Sequence, residues 1–234
     1  MINNKDLWDC NILFVPFWWG MFLTNGHPDE KRAYEWWNRE YEKIEKEWVN
    51  EYDWLISNLH NCAQPAYQRR YKVFWRLNFA RLHDNFCNAY FQALHNAKSN
   101  RPDLSKLTLA LHATPTHGNG HKSLQFSFAS KLLHMVSPSM PIYDSLVAAF
   151  YFYQEPSRKL TPEQRVASLV GFHSFLFSEY QRILTNNLLA QSIAAFRKHF
   201  NPHHFTDEKI IDSLIWGYVS LSKDGAVYDG RIQY

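Results

Sequence analysis

The sequence predicts an all-α protein, a globular bundle of many helices, and three observations carry that prediction. Apolar residues recur every three or four positions through most of the chain. No two alternating apolar–polar runs flank a tight turn, which is the signature of a β-hairpin. Nine Trp, thirteen Tyr and seventeen Phe among 234 residues supply apolar surface for a large core. A disordered chain lacks such surface, and eight Gly with ten scattered Pro exclude collagen-like and low-complexity sequence. The length suits one domain over 1–234, with a long-helix, aromatic-rich part over 1–100 and a second helical part over 101–234.

The elements follow in order. Asn11–Leu23 is almost wholly apolar, but it is too short to span a bilayer and is interrupted by Pro16. Asp6 and Asp9 precede it and no small-residue cleavage site follows, so a buried segment of a reduced, cytoplasmic protein is expected. Pro28-Asp29-Glu30 makes a good first helical turn. Tyr34, Trp37, Tyr41, Ile44, Trp48, Tyr52, Leu55 and Leu59 then mark one long amphipathic helix. A second runs from about Pro65 to Lys98, with Phe74, Phe79, Leu82 and Phe86 among its inward residues and a kink or break expected near Asp84-Asn85. Shorter helices are predicted over Asp103–His112 and Lys122–Val136, the latter stopped by Ser137-Pro-Ser-Met-Pro141. Asp144 caps the next, which runs to Tyr153. Thr161-Pro162-Glu163-Gln164 is a capping box opening a helix to about Thr185. Leu188–Phe200 and a helix from Thr206 to Ser222 complete the chain.

Charge and cysteine usage narrow the function classes. The net charge is +3 and the isoelectric point about 8.7, short of a strongly basic nucleic-acid binder. The distribution is more telling. Nine acids and five bases fall between Asp29 and Asp53, whereas Leu55–Leu82 holds Arg69, Arg70, Lys72, Arg76 and Arg81 and no acid. Either two neighbouring helices attract each other or this basic face binds a phosphate backbone. Cys10, Cys62 and Cys87 are too few and too scattered for a disulfide framework or a four-cysteine metal site. His117 and His121 have i, i+4 spacing, but the glycines between them oppose a helix presenting both, and no metal or other cofactor is expected.

The richest stretch runs from Pro115 to Val147. Gly118 and Gly120 form a tight turn before a helix, an arrangement that offers backbone N–H groups to a phosphate, with His121 beside it. Lys122 and Lys131 follow, then Asp144 after a proline-bounded loop. An amine beside a carboxylate makes a nucleophile–acid pair, provided a dry or cationic setting keeps the amine neutral. Leu124, Phe128, Leu132 and Met135 form an apolar stripe, and Lys131 lies next to it, so partial burial is expected. Each residue also has a plainer reading: a helix cap for Asp144, solvated lysines, a surface turn for the glycines.

The runs Gly118-Asn-Gly120-His-Lys122 and Pro141-Ile-Tyr-Asp144 resemble the helix–hairpin–helix DNA glycosylases, among them endonuclease III and the 8-oxoguanine DNA glycosylases. Phe126–His134 with Pro141–Asp144 is similar to the smaller bacterial proteins that share the 8-oxoguanine glycosylase fold. The resemblance covers about thirty-five of the 234 residues. It implies that hairpin amides at Gly118 and Gly120 hold the DNA backbone, that a lysine attacks the sugar C1′ of a flipped nucleotide, and that Asp144 assists loss of the base. Lys122 is the lysine at the family's position, though 22 residues from Asp144 it sits a little farther off than usual. Lys131 is its rival. An enzyme of this kind stacks the extruded base on aromatics, for which Tyr143, Phe126 and Phe128 are the candidates. The expected partner is DNA, and no membrane. The alternative from another class is an all-α nucleic-acid- or protein-binding module that keeps such a fold without catalysis.

Overall fold

The structure, a computed structural model, describes residues 44–223 and the short pairs 227–228 and 231–232. The apolar segment Asn11–Leu23, Cys10 and the expected first long helix up to Tyr41 lie outside the described residues, and that helix does not run unbroken through Ile44, because Glu45 is extended. Among the described residues the fold is helical, as the periodicity predicts, with nine α-helices and, apart from them, one pair of two-residue strands.

Helix α1 (Lys46–Ser57) buries Val49, Tyr52 and Leu55 at helical spacing. Pro65 opens α2 (Pro65–Phe74), where its missing N–H costs nothing. The second long helix expected from Pro65 to Lys98 does not continue past Phe74. Arg76 and Arg81 adopt left-handed backbone conformations, with φ of 58° and 50°, on either side of a single 3₁₀ turn at Leu77–Ala80. Helix α3 then starts at Asp84 (Asp84–Ala97), with the His83 ring accepting from the Asn85 amide at 3.2 Å. The break therefore falls ahead of Asp84-Asn85. Leu77 stays buried, but Phe79, expected inward, is 75% exposed. Two helices in sequence can share one apolar period, so spacing alone does not register a reversal of φ between them.

Asp103 caps α4 (Leu104–Ala113), accepting from the Lys106 amide at 2.8 Å. Helix α5 (Phe126–Val136) begins four residues later than Lys122. The reason is local: the Thr116 amide donates to the His121 carbonyl at 2.8 Å, and the Ser123 amide donates to Thr116 Oγ1 at 3.0 Å. Residues 121–123 are thereby tied back across the loop instead of winding into the helix. Helix α6 (Ser145–Phe150) has Asp144 as its N-cap and stops short of Tyr153, because Phe152 is left-handed at φ 54°. The capping box of α7 (Pro162–Thr185) has both of its hydrogen bonds. Helices α8 (Ala190–Phe200) and α9 (Asp207–Lys223) follow. A hairpin was not expected, yet Val227–Tyr228 (β1) pairs antiparallel with Arg231–Ile232 (β2). The intervening Asp229-Gly230 is a dipeptide that two-residue turns favour, but runs this short show no alternation.

Helix α9 packs against α6, α7 and α8, while α4 packs on α5 and α7. One core cluster joins Val49 and Leu55 at the start to Ile211 and Leu214 near the end. Polar ties fix the pieces. Buried Asp53 of α1 accepts from the amides of His203 and His204 at 2.7 and 2.8 Å, which sets the entry to α9. His134 and His173 hold the loop between α5 and α6. His134 Nδ1–H donates to the Met140 carbonyl at 2.7 Å, and His173 Nε2–H to the Pro141 carbonyl at 2.9 Å. No helix among the described residues is long and apolar enough to cross a membrane. Cys62 and Cys87 are free and buried.

Candidate functional site

A cavity of about 750 Å³ opens where α1, α2, α5, α6 and α9 meet. Each helix contributes for a local reason. Lys131 sits on α5 one position before buried Leu132, so it flanks the apolar stripe and points along the edge of the core. Asp144 enters as the cap of α6, its Oδ1 accepting from the Leu146 amide at 2.8 Å. Helix α9 presents Lys209, Asp212, Ser213 and Trp216 to the cavity. These are i, i+3, i+4 and i+7 positions, hence one face, while Ile210, Ile211, Leu214 and Ile215 fill the core. The aromatic walls are Trp48, Phe74, Trp75 and Trp216.

The lining carries charges of both signs, Glu45, Glu47 and Glu51 among them, and Lys209 and Asp212 are the charged members that lie buried. Lys209 Nζ pairs with Asp212 Oδ2 at 2.7 Å, with the side chains only 3% and 10% exposed. The ammonium lies 4.9 Å from the centre of the Trp48 ring and 5.8 Å from that of Trp75. Lys131 Nζ also lies 5.8 Å from the Trp75 centre, and 5.4 Å from Phe128. Burial pushes the Lys131 amine below the usual lysine range, with Lys209 and Arg76 adding to the fall and Asp144 and Asp212 opposing it. Burial likewise pushes the Asp212 carboxyl up, against the pull of Lys209 and Lys131 and with the help of Asp144. An amine whose charged form is disfavoured, set against aromatic rings in a cavity shared with Asp144, is better placed to act as a nucleophile than a fully solvated lysine.

The structure divides the residues singled out from sequence into four groups. Lys131, Asp144, Arg69, Arg70 and Arg76 come together as cavity-lining residues. Arg70 is committed there: it makes a two-pronged ion pair with Glu51 and its guanidinium covers the Trp54 ring at 3.5 Å. Arg69 and Arg76 are exposed. Lys72 turns elsewhere, its Nζ 5.8 Å from the Phe91 ring. Gly118, Gly120, His121 and Lys122 form an exposed hairpin that does not line the cavity. The turn holds itself together, since the Gly120 amide donates to the His117 carbonyl at 3.1 Å and the His117 amide to the His121 carbonyl at 3.3 Å.

Phe126, Phe128 and Tyr143 are all core residues, 3%, 8% and 4% exposed, so they have no free face on which a base could stack. Phe126 and Tyr143 pack edge to face at 5.2 Å, and the Tyr143 hydroxyl donates to Glu155 Oε1 at 3.1 Å. Tyr143 adjoins Asp144 and Phe126 and Phe128 share α5 with Lys131, but all three side chains belong to the core cluster.

Compared with known protein families, curated proteins and solved structures, the chain matches none. Its chemistry must be argued from the cavity itself. Among the described residues no three His, Cys, Asp or Glu side chains converge as a metal site requires. Sequence reasoning missed Lys209, Asp212 and the tryptophans Trp48, Trp75 and Trp216. One signal was present for the first two: Lys209 and Asp212 flank Ile210-Ile211 on a helix that goes on to Leu214-Ile215. A polar pair on a buried helix calls for an explanation.

Proposed function

We propose that the protein is a DNA base-excision enzyme, an N-glycosylase with accompanying lyase chemistry on a damaged or modified base. Lys131 is its nucleophile and Asp144 the carboxylate that assists departure of the base. The observation that carries this reading is the meeting of Lys131 and Asp144 in one tryptophan-walled cavity bordered by the exposed cations Arg69 and Arg76. The flanking order supports it: helix α4, a glycine hairpin, helix α5, then Pro141 to Asp144, in the sequence that helix–hairpin–helix glycosylases use. The finer fold assignment is part of the same proposal.

In this scheme Arg69 and Arg76 hold the strand by its phosphates. An extruded base enters the cavity beside Trp216, a half-buried tryptophan of its wall, whose ring face stacks any base. The neutral Lys131 amine forms a bond to C1′ as the glycosidic C–N bond breaks. The departing base takes that electron pair and a proton. Opening of the sugar then breaks C1′–O4′, with a proton taken up at O4′, and leaves an imine between Lys131 and the sugar. Asp144 stabilises the positive charge that builds at C1′ and receives the proton released by the amine. The hairpin at Gly118–Lys122 touches DNA outside the cavity.

Incubation with duplexes carrying a panel of damaged bases, in the presence of borohydride, tests this reading. The expected result is a covalent protein–DNA adduct that maps to Lys131. Absence of both adduct and base release across the panel overturns it, and salt-sensitive binding without turnover then identifies a non-catalytic DNA-binding module.

A further inference from the structure

The Lys209–Asp212 pair has no place in the scheme above, yet it is a costly feature. Two charges removed from water lose several kcal/mol of hydration each, and a well-packed apolar pair in their place is often as stable or more so. The rings of Trp48, Tyr52 and Trp75 help to hold Lys209, but the pair also lines the cavity. Its placement is specific. Lys209 and Lys131 extend toward the same Trp75 ring, each with its ammonium 5.8 Å from the ring centre. Asp212 lines the same wall as Lys209, one helical turn along α9.

We propose, resting on the assignment of Lys131 as the nucleophile, that Lys209 and Asp212 are a positioning pair for Lys131. Their opposite charges, fixed on one side of Trp75, decide whether the Lys131 amine meets the substrate as an ammonium or as a free amine. The charged groups acting on Lys131 come from three further elements. They are Asp144 at the cap of α6, Lys209 and Asp212 on α9, and Arg76 in the turn after α2. The two carboxylates favour the ammonium, and the two cations disfavour it. The α9 pair supplies one group of each sign. Because Lys209 holds Asp212, the carboxylate is not free to swing onto Lys131 and lock it in the charged, unreactive form.

The test reads Lys131 directly and needs no substrate. Reductive methylation of the full chain with ¹³C-formaldehyde gives an NMR signal for each lysine, and the one missing in Lys131→Arg is assigned to Lys131. Its titration midpoint is followed in four proteins. Asp212→Asn removes a group favouring the ammonium and leaves Lys209, so the midpoint falls by about one pH unit. Lys209→Met removes a disfavouring group and frees the carboxylate, so the midpoint rises. The Lys209→Met/Asp212→Leu double variant, which leaves neither charge buried without its partner, titrates between the two singles and below the wild type. Midpoints that do not move, or that move in the same direction in both folded single variants, overturn the proposal, as does a double variant titrating with the wild type. A merely structural pair changes stability without moving these midpoints in opposite directions. Midpoints that shift as expected while no DNA adduct forms on any duplex uphold the positioning pair and reject the glycosylase.

Discussion

The hairpin at Gly118–Lys122 and the cavity around Lys131 make an instructive comparison. Both hold a lysine, and the sequence resemblance rests on both. In the hairpin the side chains face water and several backbone donors are satisfied within the turn. In the cavity the charges lie against tryptophan rings, and burial shifts both Lys131 and Asp212 toward their neutral forms. The comparison teaches that distance along the chain from a glycine turn does not make a lysine reactive. Removal from water does, and that depends on helices far away in sequence.

The largest effect expected is therefore a division between the two lysines. Lys131→Met abolishes adduct trapping, a loss of at least about a thousand-fold, whereas Lys122→Met leaves trapping at saturating DNA intact. Asp144→Asn also loses activity while folding normally, because an asparagine oxygen still accepts from the Leu146 amide and keeps the cap. Trapping assays on the three variants, with circular dichroism to verify folding, decide the matter. Retained trapping in Lys131→Met together with loss in Lys122→Met inverts the comparison.

The fold was largely legible because helices announce themselves locally. Asp103, Asp144 and Thr161 cap where their chemistry says they should. What was not legible was anything set by φ or by distant partners. The left-handed Arg76 and Arg81 split a helix whose apolar period is continuous, and Thr116 delays α5 by bonding to Ser123. The site divides in the same way. Lys131 and Asp144 lie 13 residues apart within one readable stretch. Lys209 and Asp212 stand on α9, whose entry Asp53, some 150 residues earlier, anchors through the His203 and His204 amides. No window of sequence contains that contact.

The next effect concerns acid and separates the cavity side from the hairpin side. His134 and His173 both hold the loop leading to Asp144, and burial lowers them to about 3 and about 4 from the ordinary 6.5. The unfolded chain binds these protons more readily than the folded one, so stability is lost as pH falls below about 6.5 toward those values. Each histidine adds about 1.4 kcal/mol per pH unit to the slope within its window. Protonated His134 also cannot accept from the Tyr52 hydroxyl, 2.7 Å from its Nε2. Urea unfolding between pH 7 and pH 4 is expected to show a shallower acid slope in a folded His134→Gln variant than in the wild type. Equal slopes contradict the neutral, buried state of this ring.

The smallest effect lies in the hairpin, and it measures how little the hairpin shares with the cavity. Gly120 is left-handed at φ 78°, and a Cβ there meets nothing within 4 Å, so Gly120→Ala adds backbone strain alone. The expected cost is about 1 kcal/mol. Gly118 lacks that conformation, and its Cβ would meet the His83 ring at an ordinary 3.7 Å. Gly118→Ala is thus expected within about 0.5 kcal/mol of the wild type. Thermal melts compare the two variants, and trapping at saturating DNA is expected to be unchanged in both. If Gly120→Ala instead destroys trapping while the chain stays folded, the turn acts on the chemistry as well as on the docking of DNA, and the two regions form one site.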